Sequence, residues 1–241
     1  MVCLGKIIAS VIVPTLNEEK NIYKTLKLLD KQSVSRDLYE IIVPDSSSFD
    51  NTVGVAKKIA DRVVVCKRNG AGFGRNFGAK HAKGEILGFV DADTLVSDTW
   101  VEGLIEELKT KGRVGCTGPL ENIEKESLKI NLFYKWWNLQ SRASVFLNYP
   151  IFPGFNFGVR KKEFWQTGGF SEMNKLCEDM ELSLKLGNLG KVGFNQKMFV
   201  KTSARRQMEI PIHKHIFNAI NFSLTKKSMS WDEYRKDFSK N

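Results

Sequence analysis

Two carboxylates one residue apart, Asp91 and Asp93, close an apolar stretch in Phe89-Val-Asp-Ala-Asp-Thr. On an extended backbone, side chains two apart point to the same side, so this pair can share one hard cation. Mg²⁺ or Mn²⁺ takes one or two such carboxylates and completes its shell with phosphate oxygens and water. Taken alone, a D-x-D reads equally well as a solvated turn with a capping aspartate. Asp45 ends a second apolar stretch and leads through Ser46, Ser47 and Ser48 to Asp50-Asn51-Thr52. Asp50 reads as a helix N-cap. Asp45 stands earlier, where a carboxylate either accepts hydrogen bonds from a base ring NH or a ribose hydroxyl, or closes an Asx-turn.

Arg75 lies in Gly70-Ala-Gly-Phe-Gly-Arg-Asn-Phe-Gly. Its guanidinium, placed at a helix start, can pair with a diphosphate or hold a metal-binding carboxylate. The glycines are not a dinucleotide fingerprint, because the spacing is not G-x-G-x-x-G and the stretch lies late in the chain. Glu178-Asp179 stands before the helical pattern Met180, Leu184 and Leu186. Acids at a helix N-terminus stabilise its dipole with no function needed, and locally that is the better reading. His213 and His215 have no carboxylate or cysteine near them in sequence, so they read as surface residues. Cys3, Cys66, Cys116 and Cys177 form no C-x-x-C pair and read as buried or incidental thiols.

The elements that must position these groups follow from periodicity. Residues 7–14 are a β-branched apolar run closed by Pro14, which reads as a strand buried on both faces. A helix follows, with Asn17 as its cap and Ile22, Leu26 and Leu29 at helical spacing. The unit recurs as a strand at 39–44, a helix with Val53, Ala56 and Ile59, and a strand at 62–66. A glycine-rich turn, a helix from Asn76 to Ala82 and an apolar strand at 85–91 come next. A helix with Val101, Leu104, Ile105 and Leu108 precedes a strand at 113–117. Residues 120–150 read as helical and amphipathic, strands recur near 154–160 and 191–200, and a helix is expected from Asp179 to Leu186. Alternating β and α elements predict an α/β fold with a mainly parallel sheet flanked by helices, whose ligand sits outside the carboxyl ends of the strands.

At 241 residues, with 42% hydrophobic and 27% charged residues, the chain is of globular composition, which excludes disordered and coiled-coil classes. The net charge of +10 favours an anionic partner without selecting one. No stretch reaches the roughly 18 apolar residues of a membrane span.

In this order and spacing, the motifs resemble glycosyltransferase family 2, inverting enzymes of the GT-A (Rossmann-like) fold that use nucleotide-sugar donors. Ser10-Val-Ile-Val-Pro-Thr-Leu-Asn-Glu-Glu resembles the family's opening strand and nucleotide loop, Asp45 to Thr52 its second acidic loop, and Phe89-Val-Asp-Ala-Asp-Thr its D-x-D. Gly154-Phe-Asn-Phe-Gly-Val-Arg resembles the acceptor-side strand, and Glu178-Asp179 the pair whose aspartate is the base. The resemblance implies that Asp45 meets the nucleotide base and that Pro14, Thr15, Asn17 and Glu18 line the nucleotide pocket. It implies that Arg75 steadies the diphosphate, that Asp91, Ala92 and Asp93 hold nucleotide and metal, and that Asp179 is catalytic. Asn156, Glu178, Arg205 and Arg206 fall on the acceptor or diphosphate side. The second acidic loop keeps only the first of the family's two aspartates. The late Q-x-x-R-W signature of processive synthases is absent, with Ser203-Ala-Arg-Arg in its place, which implies single-sugar transfer.

The expected organisation is a catalytic domain over 1–204, with a nucleotide half at 1–97 and an acceptor half at 98–204, and a basic amphipathic helical tail at 205–241. From Lys201 onward there are nine Lys and Arg against four Asp and Glu. Ile212, Ile216, Ile220 and Leu224 form a stripe at helical spacing, suited to an anionic membrane surface or to a homodimer contact. The expected enzyme moves a hexose from a UDP- or GDP-sugar, with Mn²⁺ or Mg²⁺, to a lipid-phosphate or glycolipid acceptor, peripherally on the cytoplasmic face of a membrane. A sugar nucleotidyltransferase and a basic nucleic-acid-binding module are the alternatives, the latter disfavoured because it leaves the acidic strand ends unexplained.

Overall fold

The computed structural model describes residues 6–123, 128–172 and 178–203. The tail and its stripe, with Arg205, Arg206, His213 and His215, lie outside the described residues. Strands β1 (Ala9–Ile12), β2 (Tyr39–Asp45), β3 (Arg62–Val65) and β4 (Ile86–Val90) alternate with helices α1 (Ile22–Asp30), α2 (Thr52–Ala56) and α3 (Gly70–His81). Then come β5 (Thr94–Val96), α4 (Trp100–Lys109), β6 (Arg113–Thr117), β7 (Leu120–Asn122) and α5 (Leu128–Phe146). The described part closes with β8 (Asn156–Arg160), α6 (Lys161–Gln166), α7 (Glu178–Gly187), β9 (Lys191–Phe194) and β10 (Val200–Thr202).

Seven strands form one sheet in the order β3-β2-β1-β4-β8-β6-β9, parallel except for β8, which runs antiparallel to both β4 and β6. The expected nucleotide and acceptor halves therefore share one continuous sheet. Alternation places Ala9, Val11 and Val13 in one apolar layer and Ile12 in the other, all fully buried. Along β4, Ile86 and Val90 face the first layer while Leu87 and Phe89 face the second. Phe89 there meets Phe157, Phe164 and Phe170 at centroid distances of 5.7, 5.5 and 5.1 Å. Such burial on both faces explains why β1 and β4 read as continuous apolar runs.

A smaller sheet, β5-β10-β7, lies beyond the end of β4 and draws residues 94–96, 120–122 and 200–202 together. The chain runs from β1 outward through β2 and β3, then returns to the other side of β1 as β4. That reversal makes the carboxyl ends of β1 and β4 the switch point of the sheet, where open α/β folds place ligands.

Several local expectations change. The segment 120–150 opens as strand β7 before α5, the segment 191–200 divides between β9 and β10 in separate sheets, and β5 and α6 are elements that periodicity does not mark. Asn17 does not cap α1, which starts at Ile22; its backbone is left-handed (φ 56°), a conformation Asn tolerates. The glycine-rich stretch is not a turn but the first half of α3, so Arg75 lies inside the helix rather than at its start. Tertiary packing overrides the poor helix propensity of glycine here. A Cβ on Gly72 would lie 2.4 Å from the Ser171 carbonyl oxygen, and one on Gly78 would lie 2.6 Å from Ile12.

Candidate active site

Loops leaving β1, β2, β3 and β4 enclose a cavity of about 230 Å³. Pro14, Thr15 and Glu18 come from the first loop, Ser46 from the second, Arg68 from the third, and Asp91, Ala92 and Asp93 from the fourth. Sequence reading missed Arg68, which belongs to no strand-end acidic cluster, and gave Ser46, which stands in the Asp45 cluster, no role. Their position after β2 and β3, on the same edge as Thr15, was the available signal.

Asp45 is fully buried at the floor of this edge. Its carboxylate accepts hydrogen bonds from Thr15 Oγ1 at 3.1 Å, from the Ser48 backbone N–H at 2.8 Å and from Ser48 Oγ. The side chain thus closes the Asx-turn and laces the first two loops together. Asn17 belongs to the same lacing and does not line the cavity. Its N–H donates to Ser48 Oγ at 2.8 Å, and its Oδ1 accepts the Phe49 N–H at 3.0 Å. Glu18 is buried, donates its N–H to Thr52 Oγ1 at 2.8 Å, and accepts from Asn21 Nδ2 at 2.7 Å. The N-cap of α2 is Asn51 rather than Asp50, which stands one residue earlier and accepts the Thr52 N–H at 3.0 Å.

Asp91 and Asp93 have left the strand. Thr94 N–H returns to the Asp91 carbonyl at 3.1 Å, so the D-x-D is a tight turn rather than an extended segment. Both aspartates still line the one cavity, and Asp93 also borders a second space of about 240 Å³ with Lys24, Thr25 and Ser203. The carboxylate oxygens of Asp91 and Asp93 are of the type a hard divalent cation takes while completing its shell with phosphate oxygens. Among the described residues no group of three or more His, Cys, Asp or Glu is placed to hold a metal ion.

Arg75 joins this turn to the second acidic pair. Its Nη2 donates to Asp91 Oδ1 at 2.9 Å and its Nη1 to Glu178 Oε1 at 3.0 Å. The guanidinium is buried, stacked 5.2 Å from the Phe170 ring centroid and pressed against Gly154. Asn76, one residue on, holds the Phe170 segment. It donates to the Phe170 carbonyl and accepts the Phe170 N–H, both at 2.9 Å.

Glu178 and Asp179 open α7. Asp179 accepts N–H bonds from Gly154 and Met180, both at 2.8 Å. Burial pushes the Glu178 carboxyl up to about 7, the neighbouring Asp179 charge adds to that, and Arg75 opposes both. Burial also raises Asp179, against the Gly154 N–H and Arg75. Two acids beside one buried cation hold a proton in the neutral range, which suits a group that must accept one.

Asn156 does not face this cleft. It is fully buried, its Oδ1 accepts the Trp100 indole N–H at 2.8 Å, and its Nδ2 donates to the Gly118 and Met198 carbonyls at 3.1 and 3.0 Å. With its amide used up inside the protein, Asn156 ties β8 to α4 and to the loops after β6 and β9 instead of meeting an acceptor. Cys66 and Cys116 are buried free thiols, and burial raises both.

Known proteins resemble this chain in sequence and fold. The chain is 27% identical over 197 residues to the probable glycosyltransferase YdaM of Bacillus subtilis, covering 75% of this chain and 47% of that protein. It is 32% identical over 108 residues to the UDP-Glc:alpha-D-GlcNAc-diphosphoundecaprenol beta-1,3-glucosyltransferase WfaP of Escherichia coli, 43% of this chain and 42% of that one. The chain thus spans less than half the length of these two relatives. Its fold matches the mannosyltransferase PcManGT of Pyrobaculum calidifontis, solved in complex with GDP-Man and Mn²⁺, at a TM-score of 0.68 and 21% identity, over 81% of this chain and 56% of that one. The family model described as glycosyl transferase family 2 matches residues 10–168, from the serine of β1 through the D-x-D and the acceptor-side strand, and the chain belongs to that family.

Proposed function

We propose that this protein transfers one hexose, with inversion, from a UDP- or GDP-sugar to a hydroxyl of a lipid-linked acceptor. The observation that carries the reading is the Arg75 bridge, which joins the cavity of the D-x-D to the paired acids of α7. Thr15 and Ser46 would meet the nucleoside at the carboxyl ends of β1 and β2, with Asp45 holding Thr15 from beneath, and Arg68 offers a cation at the cavity mouth to the diphosphate. Asp91 and Asp93 would hold Mn²⁺ or Mg²⁺, which when bound supplies charge to stabilise the departing diphosphate. Asp179 takes the proton of the acceptor hydroxyl as its oxygen bonds the anomeric carbon and the bond to the diphosphate breaks. Support for a lipid-linked acceptor comes from WfaP, whose name records such an acceptor, and from the basic tail. Of the two enzymatic alternatives, family membership selects the glycosyltransferase over the nucleotidyltransferase.

The test is titration of UDP, GDP and their hexose conjugates, with and without Mn²⁺, read as thermal stability in the wild type and in Asp93→Ala. Ligand at one hundred times its dissociation constant adds about 2.7 kcal/mol to the folded state. A metal-dependent rise for one nucleotide, lost in the variant, is the expected result. No rise for any nucleotide sugar overturns the reading.

A further inference from the structure

Helix α5 is apolar on two faces. The inner face buries Ile130 and Tyr134 in the main core, joined by Phe133 and Trp137. The outer face carries Leu128, Leu132, Leu139 and Phe146, which are 74%, 55%, 68% and 88% exposed and fall at helical spacing along one stripe, with the exposed Lys135 and Arg142 set between them on the same face. Large apolar side chains exposed together on one helix face, interleaved with cations, mark an interaction surface.

Charge says what kind of surface it meets. Over its 19 residues α5 holds three cations, Lys129, Lys135 and Arg142, and no acid. At its C-terminal end a depression brings Phe146 and the half-exposed Leu189 together with Arg113, Arg142 and Lys191, and among the described residues no carboxylate lines it. Arg113 is partnered by Glu107 at 3.1 Å, and Arg142 lies 5.1 Å over the Phe194 ring. Trp136, on the margin of the stripe and 38% exposed, is of the type that sits where an apolar phase meets water.

We propose that the outer face of α5, with the Leu189 turn after α7, is an interfacial docking surface for an anionic lipid bilayer. Apolar side chains enter the acyl boundary while Lys135 and Arg142, on the same face, extend their stems along it to the headgroups that Lys191 also meets. The turn that carries Leu189 is joined to the site by α7 itself. That helix holds Asp179 at its first turn and spans about 15 Å in ten residues. The surface stands on its own geometry and does not depend on the proposed reaction, which is read separately by nucleotide binding in solution.

The experiment is flotation of the full chain with phosphatidylcholine vesicles, with and without phosphatidylglycerol. Three variants are compared with the wild type: Leu132→Ser/Leu139→Ser/Phe146→Ser, Lys135→Gln/Arg142→Gln/Lys191→Gln, and Ile216→Ser/Phe217→Ser in the tail. All mutated residues in the first set are exposed, so near-UV circular dichroism and the unfolding midpoint should match the wild type. Expected is binding favoured by phosphatidylglycerol, reduced roughly tenfold or more by the first set, and stripped of its anionic preference by the second. Vesicle binding that the first set leaves unchanged, including binding lost only in the tail variant, overturns the proposal. So does a wild type that does not bind vesicles, and a dimer in sedimentation velocity dissolved by the first set would then assign the face to a second copy.

Discussion

Asp91 and Glu178, one on the turn after β4 and the other at the start of α7, are held by opposite nitrogens of a single guanidinium. Arg75 thereby fixes the distance between the carboxylates expected to face the diphosphate and those expected to face the acceptor. Its fork geometry is what permits two partners at once, since lysine offers a point charge and no planar fork.

Replacing Arg75 with Met should therefore leave two poorly solvated carboxylates without their cation. Removing one partner of a buried pair costs about 3–5 kcal/mol, which urea denaturation of the variant will read. Arg75→Lys should recover part of the stability and little of the transfer rate. Full activity in the lysine variant would mean that the bridge is not needed.

The Glu178 carboxyl stands at about 7 in the folded protein against an ordinary 4.5. An acid raised by folding binds more protons in the native state, so its contribution to stability is greatest below 4.5 and declines as pH rises to about 7. Glu178→Gln should remove that decline, seen as a flatter dependence of unfolding free energy on pH across this window. Transfer by the wild type should rise through the same window as the acidic pair loses its proton, read from the rate profile.

Asp179→Asn keeps the shape of the side chain and abolishes its basicity. Loss of a positioned general base costs about 10²–10⁴ in rate. Nucleotide affinity should not change, because Asp179 bonds Gly154 and Met180 and does not line the donor cavity. A single-turnover assay beside a nucleotide titration separates the two.

Asn156→Leu tests the reassignment of that residue from acceptor contact to internal tie. The change strands the Trp100 indole N–H and the Gly118 and Met198 carbonyls. At about 1–3 kcal/mol for each buried group left unsatisfied, the variant should be several kcal/mol less stable by chemical denaturation. An unchanged midpoint with weakened acceptor affinity would restore the original assignment.

Gly154 is the tightest neighbour of the bridge. A Cβ there would sit 3.0 Å from the guanidinium carbon of Arg75, while the Gly154 N–H also holds Asp179. Gly154→Ala should cost about 1–3 kcal/mol as overpacking, with a larger relative loss of rate than of nucleotide affinity.

Sequence by itself determined the strands of the main sheet and where the acids fall on them, but not the small sheet of β5, β7 and β10. Alternation in β1 and β4 is local, and Asp45 and Asp91 follow directly on apolar runs, so the carboxyl-end edge was legible without coordinates. Tertiary structure decided what those acids touch. The α3 glycines read as a turn because propensity is local, whereas the close approaches of Gly72 to Ser171 and of Gly78 to Ile12 that make them helical are not. Asn156 read as a contact for an acceptor because its sequence neighbours are those of the family's strand, but its partners Trp100, Gly118 and Met198 come from three other parts of the chain. The raised carboxyl of Glu178 is likewise a property of burial beside Asp179 and Arg75. Residue type sets which hydrogen bonds and charges a side chain can offer; only the packing of distant segments sets whether water or another residue answers them.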